Sequence, residues 1–146
     1  MAEMMLPAAV LIVWSIVMTV WLAVSRLPAL NKAGIDLKVA KPGGRGSDLE
    51  AVLPPEVMWK SHNFTHLMEQ PTIFYPSVVI IALLGPGEID VMLAWGYVVI
   101  RIAHSLWQAL VNTIPVRFTL FVLGTICLAT LAVRAVMAAL GGGDAA

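Results

Sequence analysis

The stretch from Arg101 to Arg117, RIAHSLWQALVNTIPVR, sets two arginines, a histidine, a glutamine and an asparagine into a chain that is otherwise apolar. Of the 146 residues, 60% are hydrophobic and 12% are charged, and the mean hydropathy is +0.88. Soluble domains are about half apolar and about a quarter charged. The composition therefore predicts an integral membrane protein, and the formal net charge of zero gives no reason to expect a nucleic-acid partner.

Four apolar segments are long enough to cross a bilayer, which requires roughly 20 residues of helix. We place these spans at about residues 6–24, 64–84, 89–114 and 115–140, with a polar loop over residues 25–58. The first segment is too long for the apolar part of a signal peptide, so we expect a retained transmembrane helix. The predicted fold class is an all-α, integral membrane four-helix bundle that forms one domain over residues 1–146.

Basic residues mark one side of the membrane. The polar loop contains Arg26, Lys32, Lys38, Lys41 and Arg45, and Arg117 lies at the turn between the third and fourth spans. The turn at residues 84–88, LGPGE, has no basic residue. The positive-inside rule therefore predicts a cytoplasmic loop with both termini outside. We expect a bacterial inner membrane, since the sequence shows no sorting motif and has a short tail.

The polar residues of the third span share one helical face. At about 100° per residue, His104, Ser105, Gln108 and Asn112 fall within roughly 60° of Arg101. A stripe of this kind faces protein or water, because polar side chains in contact with lipid are costly.

The second span shows a matching face, with His62, Thr65, His66 and Glu69 on one side of the helix. A carboxylate in hydrocarbon needs a partner, and Arg101 fits by charge and by depth. The other polar groups exceed what one ion pair requires. They indicate a pocket for a polar or anionic ligand, with a purely structural network as the alternative.

The same motifs resemble the MAPEG superfamily, the membrane-associated proteins in eicosanoid and glutathione metabolism. That family carries R-x-x-H, a polar residue or tyrosine four positions later, and P-x-R at the start of the fourth helix. The matching positions here are Arg101, His104, Gln108, Pro115 and Arg117. HLMEQPTIFYP in the second span is similar to the family's N-x-x-E followed by a proline and aromatic residues, with Glu69 at the glutamate.

The resemblance implies a membrane-embedded, glutathione-dependent transferase or peroxidase that acts on lipophilic electrophiles. It also implies a homotrimer with active sites between subunits and glutathione as the cosubstrate. Arg117 would be the catalytic residue, since a guanidinium favours the anionic form of a nearby thiol. The implied cosubstrate-binding residues are His66, Glu69, Arg101, His104 and Gln108.

The chain departs from the family pattern at several positions. His66 stands where the family has asparagine, and Thr65 where it has a basic residue. Phe118 and Phe121 occupy positions where some members have a tyrosine or serine that assists the thiolate. Phenylalanine donates no hydrogen bond, so an alternative is a non-catalytic scaffold of this fold, or a lipid-binding subunit alongside other membrane subunits.

A metal site is a weaker alternative. His62, His66 and Glu69 follow a helical i, i+4, i+7 spacing, and His104 would add a fourth ligand suited to iron, zinc or manganese. Arg101 lies on the same polar stripe and would repel a cation. We therefore expect no bound metal.

Overall fold

Helices account for nearly all of the described chain. The computed structural model describes residues 1–36, 39 and 42–141, and within them it contains no strand. The helices are α1 Ala2–Lys32, α2 Pro55–Leu67, α3 Pro71–Leu84, α4 Glu88–Leu110 and α5 Ile114–Gly141, with a short 3-10 helix at Gly46–Leu49. Lys38 and Lys41 of the basic loop, and residues 142–146 of the predicted domain, lie outside the described residues.

Four helical segments are long and apolar enough to cross a membrane. They are Ala2–Lys32, Pro55–Leu84, Glu88–Leu110 and Ile114–Gly141. The second of them contains both α2 and α3. The protein is therefore the all-α, four-span membrane protein that the sequence predicts.

Helices begin and end at different residues from the apolar segments. α1 continues through Arg26 to Lys32, and α2 begins at Pro55, so the connection between them is shorter than the predicted loop over residues 25–58. Hydropathy shows where the hydrocarbon ends, whereas a helix continues as long as its backbone hydrogen bonds do. Pro55 takes the first helical position of α2, where a missing N–H costs nothing.

The second span is interrupted at residues 68–70. Pro71 is the first residue of α3, and a proline cannot donate the backbone hydrogen bond that would continue α2. The last carbonyls of α2 therefore lack helical partners and are free to accept hydrogen bonds from side chains.

α4 ends at Leu110, earlier than the predicted boundary near residue 114. Asn112 adopts a left-handed conformation with φ of 56°, which asparagine tolerates better than most residues. Its backbone N–H donates to the Trp107 carbonyl at 2.8 Å. Asn112 therefore belongs to the turn before α5, and its predicted place in the helical stripe is wrong.

The helices pack with α4 against α1, α2 and α5, and with α3 against α1 and α5. Phe74 of α3 and Tyr97 of α4 are fully buried, with ring centroids 4.5 Å apart. The outward faces carry large exposed apolar side chains, including Val13, Ile16 and Val20 of α1. Such faces suit contact with lipid chains.

Candidate functional site

The polar stripe of α4 lies inside the protein. Its members Arg101, His104, Ser105 and Gln108 are all 3% exposed or less. This agrees with the expectation that the stripe avoids lipid. The stripe faces α1, α2 and α5, the three helices that pack against α4.

Ser105 joins three helices through its hydroxyl oxygen. The indole N–H of Trp14 in α1 donates to it at 3.0 Å, and the side-chain amide of Asn63 in α2 donates at 2.8 Å. Asn63 is 1% exposed and was missed in the sequence analysis. The helical spacing of Asn63, Leu67 and Gln70 was the available signal for this buried face.

Arg101 makes its hydrogen bonds to the interrupted end of α2. Its guanidinium donates to the carbonyl oxygen of His66 and lies 3.0 Å from His66 Nδ1. It also donates to Gln70 Oε1 at 3.4 Å. Gln70 in turn donates to Thr125 Oγ1 at 2.8 Å, which extends the network to α5.

The predicted ion pair between Glu69 and Arg101 is not found among the described residues. The Glu69 side chain is 60% exposed, and its Oε2 atom lies 3.3 Å from His66 Nδ1. Of the predicted face of the second span, His66 contacts Arg101, whereas the Glu69 carboxylate lies beside His66. His62 faces outward, where it pairs with Glu50 at 2.9 Å.

A cavity of about 230 Å³ lies where α2, α4 and α5 meet. It is lined by His66, His104, Ile114, Arg117, Phe118 and Phe121. The rings of His66 and His104 stand edge to face with centroids 5.1 Å apart. Arg117 donates to Asn112 Oδ1 at 2.6 Å, which fixes its guanidinium beside the cavity.

The cavity brings together part of the predicted site. Arg117, His66 and His104 line it. Glu69 and Arg101 do not line the cavity themselves, but both lie beside Nδ1 of His66, which does. The Oε1 atom of Gln108 and the Nε2 atom of His104 are buried without a hydrogen-bond partner among the described residues.

The lining combines a cationic side chain with apolar walls. This arrangement suits a ligand with an anionic atom near Arg117 and an apolar portion against Ile114 and the phenylalanines. Within residues 1–36, 39 and 42–141, no three histidine, cysteine or acidic side chains converge as a metal-binding group. The metal alternative therefore has no geometric support in the described chain.

Comparison with known proteins agrees with this geometry. The model of the MAPEG family matches residues 4–137, which is nearly the whole chain. No curated protein and no solved structure matches the chain significantly. The matched region includes the second and third spanning segments entirely, most of the first and fourth, and every residue that lines the cavity. The four membrane-spanning segments and the buried polar stripe on the third agree with this match. The chain therefore belongs to the MAPEG family, a group of membrane proteins linked to glutathione and eicosanoid metabolism.

Proposed function

We propose that this protein is a membrane-embedded, glutathione-dependent transferase or peroxidase acting on lipophilic electrophiles. The observation that carries the proposal is the cavity that places Arg117 beside His66 and His104 under apolar walls. Membership of a glutathione-related family supports the choice of cosubstrate.

Arg117 is the catalytic residue in this proposal. A free thiol is mostly protonated at neutral pH, and a guanidinium within contact distance stabilises the thiolate. The hydrogen bond to Asn112 holds Arg117 in place before the cosubstrate arrives. The Arg117 guanidinium is therefore already in position when the thiolate forms, and no rearrangement of the site is needed.

The cosubstrate would contact His66 and His104 directly, and Glu69 would act through His66. Arg101 and Gln108 lie behind these residues and complete the binding wall. Arg101 holds His66 through the backbone carbonyl, and the side-chain oxygen of Gln108 is buried behind the cavity lining without a hydrogen-bond partner among the described residues. The exposed edge of the cavity supports entry of the electrophile from lipid, since Ile114 is 69% exposed and Phe118 is 64% exposed.

The proposal includes a homotrimer in a bacterial inner membrane, with both termini outside and the long loop in the cytoplasm. The family resemblance supports the trimer. The basic residues Arg26, Lys32 and Arg45 near the first connection support the orientation.

A second candidate is a non-catalytic scaffold or lipid-binding subunit of a membrane complex. Phe118 and Phe121 favour it, because both line the cavity and neither donates a hydrogen bond to a thiolate. An apolar lining also suits an acyl chain. The two candidates differ in whether glutathione binds and ionises.

A glutathione titration of the detergent-purified protein, followed by ultraviolet absorbance of the thiolate, separates the two candidates. We expect thiolate absorbance in the wild type and its loss in Arg117→Ala, with partial retention in Arg117→Lys, which keeps the charge. Arg45→Ala removes a charge from the exposed loop and is the matched control, expected to behave as wild type. Absence of binding at millimolar glutathione would favour the scaffold.

A further inference from the structure

His66 stands where the interrupted second span meets the cavity. Its ring contributes to the cavity lining together with Arg117 and packs between His104 and Phe121, whose ring centroid lies 5.7 Å away. Its Nδ1 atom lies 3.0 Å from a guanidinium nitrogen of Arg101 and 3.3 Å from the Glu69 carboxylate. One ring nitrogen thus has both a donor and an acceptor within reach.

These two neighbours match the two protonation states of Nδ1, which in a neutral ring are its two tautomers. An unprotonated Nδ1 accepts a hydrogen bond from Arg101, whereas a protonated Nδ1 donates to Glu69. Arg101 also donates to the His66 carbonyl and to Gln70, so Nδ1 is one of several acceptors around its guanidinium. When Nδ1–H faces Glu69, the lone pair of the neutral ring is on Nε2, and the ring can accept a proton there.

We propose that His66, oriented by Glu69, is the base that removes the proton from the thiol of the cosubstrate. This inference rests on the proposed function. The arrangement follows a general rule, in which a base lies beside the nucleophile and a third group orients the base. Phe118 and Phe121 supply no hydroxyl, and among the side chains that line the cavity the two histidines are the groups able to accept a proton.

The step balances in atoms and charge. The S–H bond breaks, the proton moves to His66 Nε2, and Arg117 holds the resulting thiolate. With an activated alkene as the electrophile, sulfur bonds to one carbon and the π electron pair moves to the neighbouring carbon. His66 then returns the proton to that carbon, and the ring is neutral again.

Charged and titratable neighbours limit how long the proton stays on His66. Arg101 and His104 face it from α4, Arg117 faces it from α5, and Glu69 follows it on the same segment. The two guanidinium groups disfavour a cationic ring, while Glu69 and the new thiolate favour it. His66 therefore holds the proton while the thiolate is present and releases it afterwards.

The test compares His66→Gln with His62→Gln in the full-length detergent-purified protein. His62 is the matched control, because it forms a histidine–glutamate pair with Glu50 outside the cavity. Glutathione affinity is measured by calorimetry, the rate of thiolate formation by stopped-flow absorbance, and proton release by an indicator dye. We expect His66→Gln to bind glutathione within about tenfold of wild type but to form the thiolate about 100-fold more slowly.

Proton release gives a signature that a structural role would not produce. In the wild type the thiolate forms with less than one proton released per site, because His66 retains part of it. In His66→Gln the full proton reaches the solvent, and His62→Gln resembles the wild type. Thiolate formation in His66→Gln at the wild-type rate, with unchanged proton release, overturns the assignment of the base while leaving the proposed function intact.

Failure of the proposed function is seen separately, as absence of glutathione binding to the wild type, and it removes this inference as well. If His66→Gln does not fold, Glu69→Gln decides, because this carboxylate is exposed and its loss leaves no buried polar group unpaired. We expect Glu69→Gln to slow thiolate formation less than His66→Gln does. An unchanged rate in Glu69→Gln contradicts the proposed pair.

Discussion

Ser105 shows how one small side chain holds several helices of this protein together. It is fully buried, and its oxygen accepts hydrogen bonds from Trp14 and Asn63, which belong to two other helices. In a membrane protein the hydrophobic effect contributes little to contacts between helices. Packing and interhelical hydrogen bonds therefore contribute more of the free energy of helix association.

Replacement of Ser105 by alanine removes the acceptor of both donors. We expect a loss of about 1–3 kcal/mol in unfolding free energy, because the buried amide of Asn63 is left without its acceptor. Detergent unfolding followed by tryptophan fluorescence measures this loss. Thr130→Ala is the control, since Thr130 is exposed and bonds only to the Ile126 carbonyl of its own helix. Equal stability of the two variants would contradict the role given to Ser105.

The residues of the site were predictable to different degrees. Arg101, His104 and Gln108 were found because charged and polar side chains at helical spacing are conspicuous in an apolar span. Asn63 and Gln70 were missed because each lies beside a charged or titratable residue of the second span, His62 and Glu69, and those neighbours defined the predicted face. One of the acceptors for Arg101 is the backbone carbonyl of His66, which no pattern of side chains can reveal.

At the scale of elements, the number of spans followed from length and hydropathy alone. The second span is broken between α2 and α3, at Pro71. Two proline positions, 71 and 76, lie close together in the second span, and only the first interrupts the helix. The break has a consequence for the site, because the end of α2 offers the carbonyl that Arg101 binds.

A second contact between elements lies at the opposite end of α4. Asp90, in the first turn, accepts a hydrogen bond from the Gly87 N–H at 2.8 Å and pairs with Arg134 of α5. Its carboxylate therefore caps α4 and fastens α4 to α5. Asp90 is 4% exposed, so its loss is not compensated by water.

We expect Asp90→Ala to lower the unfolding free energy by at least about 1 kcal/mol, the usual cost of a lost helix cap. Thermal unfolding in detergent, followed by circular dichroism, gives the comparison. Glu88→Ala is the matched control, since Glu88 is an exposed acidic residue in the same first turn. The capping role is rejected if the two variants unfold at the same temperature.

At the scale of the whole molecule, the cavity opens on the outer surface of one chain. Ile114 and Phe118 belong to its lining and are largely exposed, so a neighbouring chain or lipid covers them in the membrane. In the proposed homotrimer, native mass spectrometry should give three times the 15.7 kDa chain mass. The assembly would complete the outer wall of the cavity, while His66 and Arg117 come from the same chain.

This division of residues makes a prediction about mixed assemblies. When Arg117→Ala and His66→Gln chains are co-expressed with different tags and purified through both, every particle contains both variants. Because His66 and Arg117 line one cavity of a single chain, no site in such a particle has both residues. We therefore expect no recovery of fast thiolate formation above the level of the two single variants.

The control is a mixed particle of wild-type and Arg117→Ala chains, purified in the same way. Each wild-type chain there retains a complete cavity, so fast thiolate formation should persist in proportion to the wild-type fraction. Recovery in the double-variant particle would mean that His66 of one chain acts with Arg117 of another. That result would place the reacting thiol at the boundary between chains, and not in the cavity within each chain.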